Sequence, residues 1–285
     1  MDVAVTAAVA KSTLEVGGIR TPLISGGDPS AQEAVVFIHG NPGSSEDWVD
    51  LVEAVGPYAR AVAWDAPGFG RADKPSDFAY TVGGYARFID QALAALGVER
   101  AHLVLHDFGT PWGLRWAVQR PEKFASVVLV NMGVLLDYSW HWAAKIWRTP
   151  GAGELFMATA TRPVFRVMIG KIGNPRGLPQ EFVDRMYDDF DTPTRKAVLK
   201  LYRATPATEL GWGAAELREL DRPALVIWGA NDPYMPVRQA ELQRVSFPSV
   251  EVRVLADSGH WPMADNPDRV RELVVPFLRR MVGAG

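Results

Sequence analysis

The residue types best suited to chemistry cluster in His106-Asp107-Phe108-Gly109-Thr110, between the apolar run His102–Leu105 and a helical pattern over Pro111–Gln119. A strand, one acidic residue, a glycine two positions on and then a helix make a tight strand–turn–helix whose apex residue projects outward under strain. In G-x-S-x-G enzymes that apex is serine; here it is Asp107, and no serine elsewhere in the chain stands in such an elbow. A carboxylate is already ionised near neutral pH and needs no base to attack. Its natural electrophile is a saturated carbon with a leaving group, a carbon–halogen bond or a strained epoxide, and the product is an ester of Asp107. His260, after Ser258-Gly259, would then take a proton from the water that attacks the ester. Asp232, in Asn231-Asp232-Pro233, would orient His260 and stabilise its cation. Asp232 before Pro233 also suits a plain turn.

These residues need a scaffold that gathers them. Short apolar segments rich in Val, Leu or Ile recur at Ala34–Ile38, Ala61–Trp64, His102–Leu105, Ser126–Val130, Ala224–Trp228 and Val250–Leu255, as strands buried on both faces should. Ser12–Val16 and Arg20–Ser25 flank Gly17-Gly18 as a hairpin. Helical patterns at Glu46–Val55 (after a Ser44-Ser45 cap), Val82–Leu96, Pro111–Gln119 and Pro267–Val282 alternate with them. The fold class is α/β with a mostly parallel central sheet. The rhythm breaks between about Gly133 and Leu220, a helical, aromatic-rich stretch, and resumes at Arg222–Trp228. The expected organisation is a core domain of residues 1–133 and 221–285 with a helical cap of residues 134–220 inserted between two strands. In such sheets ligands bind at the carboxyl ends of the strands, where His39-Gly40-Asn41-Pro42-Gly43, the Asp107 elbow, Asp232 and His260 all fall.

Composition bounds the rest. Among 285 residues, 48% are apolar and 22% charged, an ordinary globular balance that argues against disorder. A net charge of −3 gives no reason to expect nucleic acid as a partner. With no cysteine, disulfides, thiolate metal sites and a cysteine nucleophile are excluded. No His/Asp/Glu spacing suggests a metal, and nothing calls for a cofactor. The longest uncharged apolar stretch, Phe124–Leu136, is too short to span a bilayer. The first ten residues carry Asp2 and no early Lys or Arg, unlike a secretory signal, so the expectation is a soluble cytoplasmic protein without membrane contact.

His39-Gly40-Asn41-Pro42, Asp65 with Pro67-Gly68-Phe69-Gly70, His106-Asp107-Phe108-Gly109, Asp232 and Ser258-Gly259-His260 stand in one order, each after an expected strand. This set resembles the α/β-hydrolases of the branch containing epoxide hydrolases and haloalkane dehalogenases, over nearly the whole chain. The resemblance implies a nucleophile–acid–histidine order with Asp107, Asp232 and His260 in the catalytic roles. It also implies an oxyanion hole formed by the backbone N–H groups of Asn41 and Phe108.

The leaving group separates the two chemistries. By the resemblance, a departing halide is held by Asn41 and a tryptophan directly after the nucleophile; that position is Phe108, which has no ring N–H. Trp112, Trp140, Trp142 or Trp147 would have to substitute. An opening epoxide needs a proton, given in this branch by two cap tyrosines. Leu201-Tyr202-Arg203-Ala204 resembles the segment carrying one of them, while the second is not evident, with Tyr138 and Tyr187 in no matching motif. Trp140, His141 and Trp147 are candidates to line the pocket, and the aromatic stretch suits a small apolar organic substrate. Epoxide hydrolysis to a diol is the expected activity, haloalkane dehalogenation the alternative, and a non-catalytic ligand-binding or lyase member a further one.

Overall fold

The computed structural model describes residues 9–174 and 177–283. The reading of the extreme N terminus as unlike a secretory signal concerns residues 1–8 in large part, and these lie outside the described residues. Eight strands form one sheet: β1 (Ala10–Val16), β2 (Ile19–Gly26), β3 (Glu33–Ile38), β4 (Arg60–Trp64), β5 (Arg100–His106), β6 (Phe124–Val130), β7 (Ala224–Gly229) and β8 (Glu251–Leu255). Their order is β1-β2-β4-β3-β5-β6-β7-β8. β1 and β2 pair antiparallel, β2 pairs antiparallel to β4, and every later pairing is parallel. The central runs are apolar without alternation because helices cover both faces: β4, β6 and β7 are buried at every residue. β8 departs from that expectation. As an edge strand it leaves Arg253 and Val254 exposed.

The helices are α1 (Val49–Val55), α2 (Val82–Ala95), α3 (Gly109–Gln119), α4 (Trp142–Arg148), α5 (Ala152–Thr159), α6 (Arg162–Val167), α7 (Gln180–Asp188), α8 (Thr192–Ala204), α9 (Ala214–Leu220), α10 (Arg238–Leu242), α11 (Pro262–Asp265) and α12 (Pro267–Met281). Local chemistry sets their ends. The Thr81 side chain accepts from Gly84 N–H at 3.0 Å to start α2, and Pro267 opens α12 with a φ already suited to the first turn. The segment expected as one helix from Glu46 begins instead with a 3₁₀ turn, Ser45–Trp48.

Between β6 and β7 the chain runs through α4 to α9, with no strand among the described residues. This insertion touches the core through specific polar contacts. Arg185 of α7 donates to Ser44 Oγ and Asp47 Oδ1, both at 2.8 Å. Lys200 of α8 donates to the Ser76 carbonyl at 2.8 Å. None of the described helices is long and apolar enough to cross a membrane.

Candidate active site

The parallel strands deliver their polar residues to one edge. β5 ends at His106, and Asp107 follows at φ +46°, a left-handed conformation rare for a residue with a side chain. The turn is possible only because its neighbours are bare. A Cβ on Gly40 would lie 2.3 Å from Asp107 Cβ, and one on Gly109 would lie 2.5 Å from the Ile38 carbonyl oxygen. Asp107 is thereby raised at the start of α3 while remaining buried.

The three residues expected to act together do meet. His260 Nε2 lies 3.5 Å from Asp107 Oδ2, and His260 Nδ1 lies 2.7 Å from Asp232 Oδ2. Asn41 N–H donates to Asp107 Oδ1 at 2.8 Å. Phe108 N–H stands at the start of α3, where amides lack an intrahelical acceptor. Burial alone would raise the Asp107 pKa, but the hydrogen bond and charge of His260 outweigh it and hold the carboxyl down to about 2. Burial alone would lower His260, but Asp232 and Asp107 together hold it up to about 10. The resting pair is therefore carboxylate and imidazolium.

The surrounding histidines brace the backbone beneath the site. His39 Nε2 accepts from Ala66 N–H at 2.9 Å, leaving Nδ1–H to donate to the Gly40 carbonyl at 2.8 Å beneath the Asn41 loop. His106 donates from Nε2 to the His260 carbonyl at 2.8 Å, and burial brings its pKa down to about 4.

A cavity opens above Asp107. Asn41, Pro42, Asp107, Tyr234, His260 and Trp261 come from the segments that follow the strands; Trp142, Trp147, Phe156, Met157, Phe165, Met168, Phe190 and Tyr202 come from the insertion between β6 and β7, and His141 caps α4. Among the described lining residues only Asp107 and His260 carry a charge. No described group of His, Asp and Glu is arranged to hold a metal ion.

Of the donors considered from sequence, Tyr202 reaches the cavity. Its hydroxyl accepts a long hydrogen bond from Asn41 Nδ2 at 3.4 Å, so its own proton is uncommitted. Burial, with the Asp107 charge beside it, pushes its pKa well above 10 and keeps it protonated. Tyr138 is placed differently: its hydroxyl donates to the Tyr234 carbonyl at 3.4 Å, and it does not line the cavity. Tyr187 packs on Phe165, with ring centroids 5.6 Å apart. Trp140 corrects the pocket expectation. It stacks on Phe108 at 6.2 Å behind the cavity wall, because Phe108 offers it a flat apolar face. His141 and Trp147 do line the cavity. The indole nitrogens of Trp112, Trp140 and Trp147 are buried and without a partner.

Three residues escaped the sequence reading. Tyr234 lines the cavity beside His260, ring centroids 5.1 Å apart, and only its place two positions after Asp232 signals it. Trp261 follows His260 directly and crosses its ring edge-on at 4.6 Å. Asn131, one residue past β6, donates to Asp232 Oδ2 at 2.7 Å.

Known proteins resemble this chain over most of its length. Residues 33–267 match the alpha/beta hydrolase fold family. A haloalkane dehalogenase of Agrobacterium fabrum is 27% identical over 266 residues, covering 87% of this chain and 86% of its own. The crystal structure of a haloalkane dehalogenase from Agrobacterium tumefaciens C58 aligns with a TM-score of 0.82 at 25% identity, over 96% of this chain and 98% of that one. An epoxide hydrolase of Vigna radiata shares the fold with a TM-score of 0.79 at 21% identity, over 95% and 98% of the two chains. The chain belongs to the alpha/beta hydrolase fold family and is a hydrolase.

Proposed function

We propose that the protein is an epoxide hydrolase acting through a covalent Asp107 ester, with residues 134–220 forming a cap over a core of residues 1–133 and 221–285. The observation that carries this reading is the Tyr202 hydroxyl, which faces the cavity beside Asp107 with Asn41 bonded to its oxygen and its proton free. His141 is its partner. Its Nδ1 accepts from Ala144 N–H at 3.3 Å as the cap of α4, and burial brings its pKa down to about 4. The neutral ring therefore carries its proton on Nε2, giving the cavity a second donor.

Asp107 Oδ2, the oxygen not held by Asn41 N–H, attacks an epoxide carbon. The ring C–O bond breaks, its electron pair moves to oxygen, and that oxygen takes the Tyr202 proton. Esterification removes the Asp107 charge, one of the two carboxylates that hold the His260 pKa up. His260 then sheds its proton, which restores Tyr202, and becomes a base. It deprotonates water, and hydroxide adds to Asp107 Cγ. The new oxyanion on Oδ1 is held by Asn41 and Phe108 N–H groups, each such donor contributing about 3 kcal/mol. Collapse expels the diol alkoxide, which takes the proton of the added hydroxyl. Asp107 is ionised and His260 protonated, as at the start. Apart from Asp107 and His260 the lining is uncharged, which suits a neutral apolar substrate.

Alkyl-halide hydrolysis is the second reading, favoured by the Asn41 carboxamide beside Asp107 and by the dehalogenase relatives. Against it, Phe108 offers no indole, and the Trp147 N–H is buried in packing. The test is His260→Gln exposed to styrene oxide and, separately, to 1-bromohexane, with mass spectrometry of the Asp107 peptide. An epoxide adduct there, with diol from the wild type, is expected. Absence of adduct and diol overturns the epoxide reading, and a hexyl adduct with bromide release alone supports the second.

A further inference from the structure

Asn131 occupies a junction that neither half-reaction above explains. It stands where β6 leaves the sheet, fully buried, with φ +49°. Its backbone N–H donates to the Ile227 carbonyl at 3.0 Å, and its Oδ1 accepts from Gly229 N–H at 3.0 Å, tying it to β7. Its Nδ2 donates to Asp232 Oδ2 at 2.7 Å and to the Gly259 carbonyl at 3.0 Å. One carboxamide thus joins three strand ends: its own, that of Asp232, and the loop carrying His260. Asp232 Oδ1 is already occupied by the N–H groups of Tyr234 and Met235, at 2.7 and 2.9 Å. Oδ2 therefore serves both Asn131 and His260 Nδ1.

We propose that Asn131 is a positioning residue, orienting the Asp232 carboxylate toward His260 and moderating its pull on the imidazolium proton. The inference rests on the hydrolase mechanism above. A charge-bearing oxygen that already accepts one fixed N–H has less negative potential to offer a second. Without that donor, Asp232 holds the His260 proton more firmly. His260 then becomes a free base only at higher pH, and water attack on the ester slows. Asparagine suits the place because it tolerates a left-handed backbone and supplies two donors; aspartate would set a second carboxylate against Asp232.

The groups facing the His260–Asp232 pair do not confuse this titration. His106 and His141 are neutral above about pH 5, because burial brings each down to about 4. Tyr138, Tyr202 and Tyr234 are pushed up by burial and stay protonated. Asp107 is held down to about 2 while free, and is uncharged as the ester.

The test is rapid-quench single turnover of styrene oxide across pH by wild type, Asn131→Gly, which keeps the backbone conformation, and Asn131→Asp, which keeps the shape. Ester formation should stay within roughly threefold of wild type in both. Ester decay should slow roughly tenfold near neutrality in Asn131→Gly, with its pH midpoint raised by about half a unit or more, and further in Asn131→Asp. If one variant fails to fold, the His260 ring is titrated by NMR in the other, where the same upward shift is expected. Normal formation with wild-type decay and midpoint overturns the proposal. A wild type that forms no ester overturns the mechanism beneath it, and the proposal with it.

Discussion

Replacing Tyr202 with Phe removes one hydroxyl and little else. The ring keeps its edge-on contacts with Phe108 at 4.9 Å and Trp147 at 4.7 Å, and its tilted contact with Trp140 at 5.3 Å. The stability loss is therefore limited to the unpaired Asn41 amide, about 1–3 kcal/mol. Catalysis should lose more, but only for one kind of leaving group. A positioned general acid contributes about 100- to 10,000-fold. His141 Nε2–H faces the same cavity, so the single substitution should sit near the low end, roughly 100-fold in kcat/KM for styrene oxide. That is about 2.7 kcal/mol. The double variant Tyr202→Phe/His141→Leu should fall roughly a further 100-fold if each donor stands in for the other. Bromide leaves without a proton, so alkylation of Asp107 by 1-bromohexane should change less than roughly threefold. Diol formation by chromatography and peptide alkylation by mass spectrometry measure the two arms. A loss under threefold for the epoxide, or an equal loss for both electrophiles, would refute the reasoning that Tyr202 protonates an alkoxide.

The charge states predict a split pH response. Asp107 is held down to about 2, so alkylation should persist in mild acid; His260 must be free, so ester hydrolysis should be lost as pH falls. Quenched wild-type enzyme should carry more ester at about pH 5 than at about pH 8, and equal amounts at both would contradict this. Arg185→Met should destabilise the fold by about 3–5 kcal/mol, because it strands the fully buried Asp47 carboxylate. Burial raises the Asp47 pKa despite Arg185. For a raised acid the penalty applies above its unfolded pKa and is relieved by protonation. The gap from wild type in thermal unfolding should therefore shrink as pH falls; a gap that grows in acid would reverse the argument. Ser126→Ala should lower stability by about 1–3 kcal/mol by depriving His102 Nδ1 of its 2.7 Å partner, with turnover unchanged; altered turnover would give this distant cluster a part in catalysis.

The sequence carried the catalytic residues further than the helices above them. Asp107, Asp232 and His260 each follow an apolar run, and a parallel sheet brings all such positions to one edge, so their meeting follows from topology. The inserted helices have no comparable rule. Trp140 and Trp147 lie on either side of a turn or two of chain, and only the packing of α4 decides that Trp147 lines the cavity while Trp140 lies behind Phe108. Tyr202 stands in a segment that marks it and Tyr138 does not, but what each hydroxyl meets is set by packing: Tyr138 is spent on a backbone carbonyl and Tyr202 is not. Asn131 was invisible because a lone asparagine after a strand is an ordinary way to turn the chain. Its partners, Gly229, Asp232 and Gly259, are about 100 residues or more away, at 98, 101 and 128 positions.

The amino end of the sheet shows why location, more than composition, makes a site. There Ser126 Oγ lies 2.7 Å from His102 Nδ1, and His102 Nε2 lies 2.9 Å from Glu33 Oε1. These are a hydroxyl, an imidazole and a carboxylate in hydrogen-bonded series, the same chemical kinds that make a serine hydrolase. Yet Ser126 is fully buried on β6 and His102 on β5, within continuous strands. No elbow lifts the hydroxyl, and it does not line the cavity above Asp107. Burial lowers the His102 pKa in spite of Glu33, so the ring is a neutral link between strands. Asp107 differs by one left-handed residue at a strand end, two glycines that let the chain close beneath it, and a cavity above. Those features turn an ordinary carboxylate into one that a substrate can reach.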